Sequence, residues 1–468
     1  MSIKFKITDS AMVELNDHLF PGDGKEAVAF VLCGHVIDDN ETILLAHKVI
    51  PLSYASCSVR KYDYVRWLTQ ELVPILNQAE KENLAVVKVH SHPKGYSQFS
   101  RVDNESDKEL YPSIYSWSKN TLPSLSAILL PNNELIVRHV SESGMFTPVS
   151  VTIIGDEVRH TPAEFSLCRE VLGFEERNLQ VFGSKTRDTL SRMKIAVIGC
   201  SGTGAPVIEQ LNRLGVGELK LFDPDVVEHK NLNRITNTKI ADADAKKLKV
   251  SSIKDTLDEI GLSTIISAFP ESIFDAEIVK EIAVCDFIFG CVDSAEARCL
   301  LNRISTYYLV PYIDIGISLD ADGKGGVNNI SGKVAYFQPG KSDHITRRSV
   351  LLSTLEAEAL KRSSLKTYQD RLNEGYIKGV IENSPAIIPV NTYASSLAVM
   401  EFLARVHDYR NEPNSGFAEQ VFCFVNNFYE TKSEINFTAP FGIHKCLGRG
   451  DKALLLDMPE FFEEERVA

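Results

Sequence analysis

"MKIAVIGCSGTGAPVIEQLNRLGVGELKLFDPD", residues 193–225, reads as a strand, a glycine-rich turn, a helix and a second strand. A βαβ unit of this kind opens a doubly wound parallel sheet, with the turn aiming backbone N–H groups and a helix N-terminus at an anion. The nicotinamide dinucleotide fingerprint G-x-G-x-x-G needs its second glycine so that backbone can approach a pyrophosphate. Ser201 stands at that position here, with Gly199, Gly202 and Gly204 around it.

The chain has 468 residues, more than one hydrophobic core usually serves, so at least two domains are expected. Its formal net charge of −13 argues against a nucleic-acid surface, which needs clustered Lys and Arg to displace counterions. The nine cysteines are scattered and never form C-x-x-C, the usage of a reducing compartment and no zinc ribbon. The N-terminus carries no apolar leader pattern, and no apolar run approaches the ~18 residues of a membrane span. A cytoplasmic protein that binds neither membrane nor nucleic acid is the expectation.

Residues 1–155 read as a small α/β domain: "IKFKIT" and "EAVAFVLCG" as strands, a helix around residues 64–83, then "LAVVKV". "SAILLPNNELIVRHV" reads as strand, turn, strand. Residues 156–175 read as a linker, 176–440 as the doubly wound domain and 441–468 as a tail.

"VHSHPKGYSQFSRVD", residues 89–103, ends the "LAVVKV" strand on two histidines. His90 and His92, two apart on a strand, share one face and can share one ion. Zinc hydrolases typically use three protein ligands and an open position, and Asp103 can close a His-His-carboxylate set. Ser100 and Asp103 also fit a helix capping box.

The order H-x-H-P-x(6)-S-x(2)-D resembles the JAB/JAMM (MPN domain) metalloprotease family, which adds an upstream glutamate, here Glu26 in "GKEAVAFVLCG". The resemblance implies a cytidine-deaminase-like α/β fold and Zn²⁺ on His90, His92 and Asp103. It also implies Glu26 as general base and acid, and Ser100 as support for the oxyanion.

The glycine turn and "GVGELKLFDPDVVEHKNLNRI" resemble the ThiF/MoeB and ubiquitin-activating-enzyme family, as does "DFIFGCVDSAEARCLLN", where Ser294 replaces the usual Asn. The resemblance implies an ATP site: Gly199, Gly202 and Gly204 in the turn, Asp223 on the ribose, Asn231, Arg234 and Lys249 on the phosphates, and Asp293 on Mg²⁺. Arg177 resembles an arginine that family members lend across a dimer, and a homodimer through this domain is implied. Between Cys299 and Cys423 no cysteine occupies the family's usual thioester or zinc positions; Ser384 lies near there as an oxyester candidate, and Cys446 is another candidate nucleophile.

Fusions of these two kinds resemble components of bacterial ubiquitin-like conjugation systems. Both chemistries converge on the C-terminal glycine of a ubiquitin-like protein: one hydrolyses the amide after it, the other adenylates the freed carboxylate. A conjugating-enzyme-like partner follows. Other readings stay open: activation of a sulfur carrier, a nucleotide-holding scaffold, and a nicotinamide dehydrogenase, against which Ser201 stands.

Overall fold

The computed structural model describes residues 2–38, 41–117, 121–163, 171–374 and 385–450. They divide into two compact units, one built on residues 2–163, 307–309 and 444–450, the other on 171–306 and 310–443. No helix among the described residues is long and apolar enough to cross a membrane.

In the first unit one mixed sheet runs in the order Ser2–Thr8, Glu41–Pro51, Val28–Ile37, Ala85–Ser91, Ser124–Leu129, Leu135–Val140, Phe146–Ile154. Phe146–Ile154 also pairs with Ser2–Thr8, which closes the sheet on itself. The expected strand–turn–strand around Pro131 is present, with Asn133 at φ 62 in the turn.

The strand Ala85–Ser91 is buried along its whole length. Its period of two divides it between two cores. Val87 and Val89 pack with Met12, Leu15 and Leu19 of the helix Asp9–Leu19. Val86 packs with Ile75, Leu76, Tyr111 and Ile114 from the helices Leu72–Glu82 and Arg101–Trp117. Lys88 and His90 therefore fall on the face that these two helices cover.

Three boundaries differ from the sequence expectation. The helix expected over residues 64–83 begins only at Leu72, because Val65–Trp67 pairs as a strand with Cys57–Arg60. The linker expected over 156–175 is shorter: Val158–Thr161 pairs with Phe146–Ile154, and a helix begins at Glu176. Part of the expected tail is packed structure, since a Cβ on Gly34 would lie 2.2 Å from the Gly448 carbonyl and Arg449 ion-pairs with Glu82 at 2.7 Å. Residues 451–468 of that tail lie outside the described residues.

The second unit is the expected doubly wound sheet. Five parallel strands run in the order Ile265–Phe269, Glu218–Phe222, Lys194–Ile198, Phe287–Gly290, Tyr312–Ala321. Val327–Phe337, Glu419–Cys423 and Phe428–Lys432 extend it antiparallel. The chain passes from Lys194–Ile198 to a neighbour on one side and later to Phe287–Gly290 on the other. Their C-terminal loops thus part at a switch point, where open α/β sheets bind ligands.

The glycine turn is set by contact. Gly199 has φ +88, and a Cβ there would sit 2.4 Å from the Cys291 carbonyl oxygen. Gly204 opens the helix Gly204–Arg213, and a Cβ there would sit 1.8 Å from the Gly199 carbonyl oxygen. Replacing Gly204 by Ala forces turn and helix apart, so the second unit should lose about 1–3 kcal/mol in denaturant unfolding. An unchanged midpoint would contradict this close approach.

Candidate functional site

His90 and His92 project from the end of the strand Ala85–Ser91, and Asp103 from the first turn of the helix Arg101–Trp117. The helix begins there because Ser100 and Asp103 cap each other. Ser100 N–H donates to Asp103 Oδ2 at 2.7 Å, and Asp103 N–H donates to Ser100 Oγ at 3.1 Å. The capping box and the ligand position are therefore one feature.

The three side chains converge. His90 Nε2 lies 3.1 Å from His92 Nε2 and 3.1 Å from Asp103 Oδ1, while His92 Nε2 lies 3.5 Å from Asp103 Oδ2. His92 Nδ1 is 2.7 Å from the Tyr96 carbonyl oxygen, which can only accept. That bond puts a proton on Nδ1 and, in the neutral ring, turns the lone pair of Nε2 toward Asp103. Two imidazole lone pairs and a carboxylate facing one point are the donor set of a divalent metal, and zinc fits it. Among the described residues this is the only group of three such donors this close together.

The electrostatics agree. Burial alone would raise the Asp103 carboxyl, but His90, His92 and the Ser100 side chain hold it far below the usual carboxylate range. Burial lowers the pKa of His90 despite Asp103 beside it, so its ring is held neutral, the form that binds a metal.

Glu26 precedes the strand Val28–Ile37. Val28 pairs with His90, and Ser91 N–H donates to the Ala27 carbonyl at 3.1 Å, so the same antiparallel register sets Glu26 across from His92. Its carboxyl is buried, and burial, with Asp103 and Asp63 adding and His92 opposing, pushes its pKa up to about 7. A carboxyl poised near neutrality can both take and return a proton.

Sequence reasoning missed the support beneath this centre. Lys88 and Arg138 both ion-pair with Asp107, the latter at 2.7 Å, and Asp107 is fully buried. Lys88 lies two residues before His90 on the same strand face, and Asp107 lies one helical turn after Asp103. The ion pair thus repeats the His90–Asp103 contact one rung deeper and fixes the helix against the strand. That spacing was the available signal.

In the second unit Asp223 is buried at the end of its strand. Its Oδ2 accepts from the Cys200 N–H of the glycine turn at 2.8 Å, and its Oδ1 accepts from Asp225 N–H at 2.9 Å. Lys249 Nζ reaches Asp225 at 2.7 Å and Asp223 at 3.4 Å. Burial opposes charge on Lys249, yet the two carboxylates raise its pKa. Asn231 Oδ1 accepts from Glu228 N–H at 3.0 Å, which shapes the loop holding Arg234. Arg234 in turn packs against the turn, its Cδ lying 3.0 Å from where a Cβ on Gly202 would be.

Asp293 is exposed in the loop after Phe287–Gly290. Ser294, in place of the usual Asn, accepts from Ala297 N–H at 3.2 Å and starts the helix Ala295–Tyr308. Arg298 on that helix bonds the Val292 carbonyl at 3.0 Å and buried Asp314 at 3.1 Å, fixing the loop on which Asp293 sits. Arg177 bonds Gln180 at 3.2 Å on an exposed helical turn. Ser384 lies outside the described residues. Burial pushes the Cys291 and Cys299 thiols up to about 12, the behaviour of packing groups rather than nucleophiles.

Residues 175–436 match the ThiF family. The chain belongs to it. Its relatives include adenylyltransferase and sulfurtransferase UBA4 of Meyerozyma guilliermondii, 28% identical over 173 residues, which are 35% of this chain and 40% of that protein. Ubiquitin-like modifier-activating enzyme 5 of Caenorhabditis briggsae is 29% identical over 184 residues, 36% of this chain and 40% of that protein. The chain thus spans about two fifths of the length of these curated relatives. A crystal structure of Escherichia coli MccB overlays with a TM-score of 0.43 at 19% identity, covering 58% of this chain and 74% of that one. The residues matched by the family, 175–436, fall in the second unit apart from 307–309.

Neutralising Asp107 as Asn would leave Lys88 and Arg138 without their shared carboxylate. Breaking a buried pair costs roughly 3–5 kcal/mol, so unfolding of the first unit should shift by that much. Asp103→Ala should destabilise far less, near the ~1 kcal/mol of a lost cap, while abolishing zinc binding in calorimetry. Equal destabilisation by both would place Asp103 in the scaffold instead.

Proposed function

We propose that the chain is a bifunctional enzyme of a ubiquitin-like modification pathway. Its first unit would be a JAMM-type zinc (iso)peptidase that processes or deconjugates a ubiquitin-like protein. Its ThiF unit would adenylate the C-terminal glycine of that protein. The observation carrying the reading is the convergence of His90, His92 and Asp103, with Glu26 set across from His92, in a chain that also holds a ThiF turn.

A zinc ion held by His90, His92 and Asp103 would supply Lewis-acid polarisation and an acidified water. Glu26 takes the proton of the attacking water and returns it to the leaving amine, which its raised pKa suits. Ser100 Oγ, which accepts from Asp103 N–H, would donate its hydroxyl proton to the developing oxyanion. Tyr96 holds the His92 ring through its carbonyl.

In the ThiF unit the tail carboxylate attacks the α-phosphorus of ATP; a new acyl C–O–P linkage forms and pyrophosphate leaves with the bonding pair. Gly199, Gly202 and Gly204 let backbone approach the phosphates, and Asp223 would bind the ribose. Asn231, Arg234 and Lys249 would supply positive and polar contacts to the phosphates, and Asp293 would hold Mg²⁺. Positioning and charge neutralisation do most of the work in such transfers.

No acceptor cysteine is proposed, because the chain has none between Cys299 and Cys423 and the Cys299 thiol is pushed up to about 12. Ser384 stays a candidate for an oxyester on its sequence position alone. The name of the Meyerozyma relative favours one second reading, activation of a sulfur carrier, told apart by a thiocarboxylate on the product tail.

Pyrophosphate exchange into ATP should require a ubiquitin-like protein with a free C-terminus, and exchange without any such protein would sink the reading. Asp293→Ala should abolish exchange and leave cleavage of a Gly-Gly-extended ubiquitin-like fusion intact. Glu26→Gln should do the reverse, slowing cleavage at least about 100-fold. A variant that loses both activities equally would argue against two separate centres.

A further inference from the structure

The long helix Ile388–Val406 starts beside the glycine turn and brings to it a residue outside the set matched to the ThiF resemblance. Ser395 Oγ donates to the Thr203 carbonyl at 2.7 Å, and Asn233 Nδ2 donates to the Ala386 carbonyl at 3.2 Å. The first bond ties the helix to the turn, and the second ties the segment before it to the Arg234 loop.

Between these bonds lies Asn391, 6% exposed. Its amide nitrogen sits 2.4 Å from where a Cβ on Gly202 would be, with Arg234 Cδ 3.0 Å from the same point. Its amide oxygen Oδ1 is buried and has no hydrogen-bond partner among the described residues. A buried acceptor left so costs on the order of 1–3 kcal/mol. Such a group beside a ligand-binding turn calls for a donor carried by the ligand.

We propose that Asn391 is a substrate-contacting residue of the adenylation site, accepting the last peptide N–H of the acyl tail as its carboxylate reaches the glycine turn. This rests on the adenylation reading. Phosphate oxygens and the tail carboxylate only accept, so they cannot satisfy Oδ1. The ribose hydroxyls and the adenine amino group can donate, but Asp223 is assigned to the ribose and adenine lies beyond it from the phosphates, whereas Asn391 lies on the Gly202 and Arg234 side of the turn. An extended peptide tail brings one N–H immediately before its terminal glycine. An amide side chain presents the matching acceptor.

The test uses full-length protein and three compounds in isothermal titration. The first is 5′-O-sulfamoyladenosine acylated with acetyl-glycyl-glycine. The second is its depsipeptide twin, in which oxygen replaces the N–H between the two glycyl units. The third is the unacylated sulfamate. The natural protein should bind the amide about tenfold more tightly than the ester, the size of one hydrogen bond to a buried acceptor. Asn391→Leu should bring that ratio to near one while changing affinity for the unacylated compound less than about twofold.

A preference that survives in the leucine variant overturns the proposal. So does equal weakening of all three compounds, which assigns Asn391 to the nucleotide or the scaffold. Should the leucine variant not fold, Asn391→Ser carries the same comparison. Natural protein that binds amide and ester alike overturns this assignment alone; failure to bind any of the three overturns it together with the adenylation reading.

Discussion

The fully buried Asp107 carboxylate, shared by Lys88 and Arg138, is the constraint on which the first unit's site depends. Lys88 belongs to the strand that carries the histidines, Asp107 to the helix that carries Asp103, and Arg138 to the next hairpin. Charges removed from water must be paired closely, so the three elements cannot slide by a residue without stranding a charge. Burial pushes against an ionised Asp107, yet the two cations hold its pKa below the ordinary value. Asp103, one turn away, inherits this registration. The Arg138 guanidinium also stacks on Phe99 at 3.6 Å, which steadies the loop between His92 and Ser100.

The second unit reaches the same end by other means. Its parallel strands deliver the glycine turn, Asp223 and Asp293 to their C-terminal ends, where close backbone contact acts beside charge pairing. Gly199 and Gly204 let strand, turn and helix meet at distances that any side chain would block. Asp223 then ties the turn to the next strand through the Cys200 N–H at 2.8 Å. Lys249 is held by carboxylates rather than by packing alone, which keeps its charge at the end of the strand Glu218–Phe222.

Much of this was legible in one dimension. The βαβ unit, the H-x-H-P spacing and the Ser100-x-x-Asp103 cap are local patterns, and local patterns survive translation into structure because period and hydrogen bonding act over a few residues. Boundaries were less legible. Val65–Trp67 lay inside an apolar run that read as helix, but a partner strand at Cys57–Arg60 claimed it. Residues 444–450 were read as tail, yet glycines without side chains allow them to lie against Gly34 and Ala46. Asn391 carried no signal at all: nothing within "IIPVNTYASS" shows that Gly202 will be its neighbour.

By itself, the sequence determined which residues are the candidates for chemistry: two histidines on one strand face, an aspartate in a helix cap, and a glycine turn followed by ordered acids and bases. These are set by side-chain type and spacing along the chain. Only the tertiary structure decided that Glu26 stands across from His92, that Lys88, Asp107 and Arg138 lock the strand of His90 and the helix of Asp103 in register, and that Asn391 meets the glycine turn. Those relations join residues far apart in sequence, and the packing of buried charge and bare backbone brings them together.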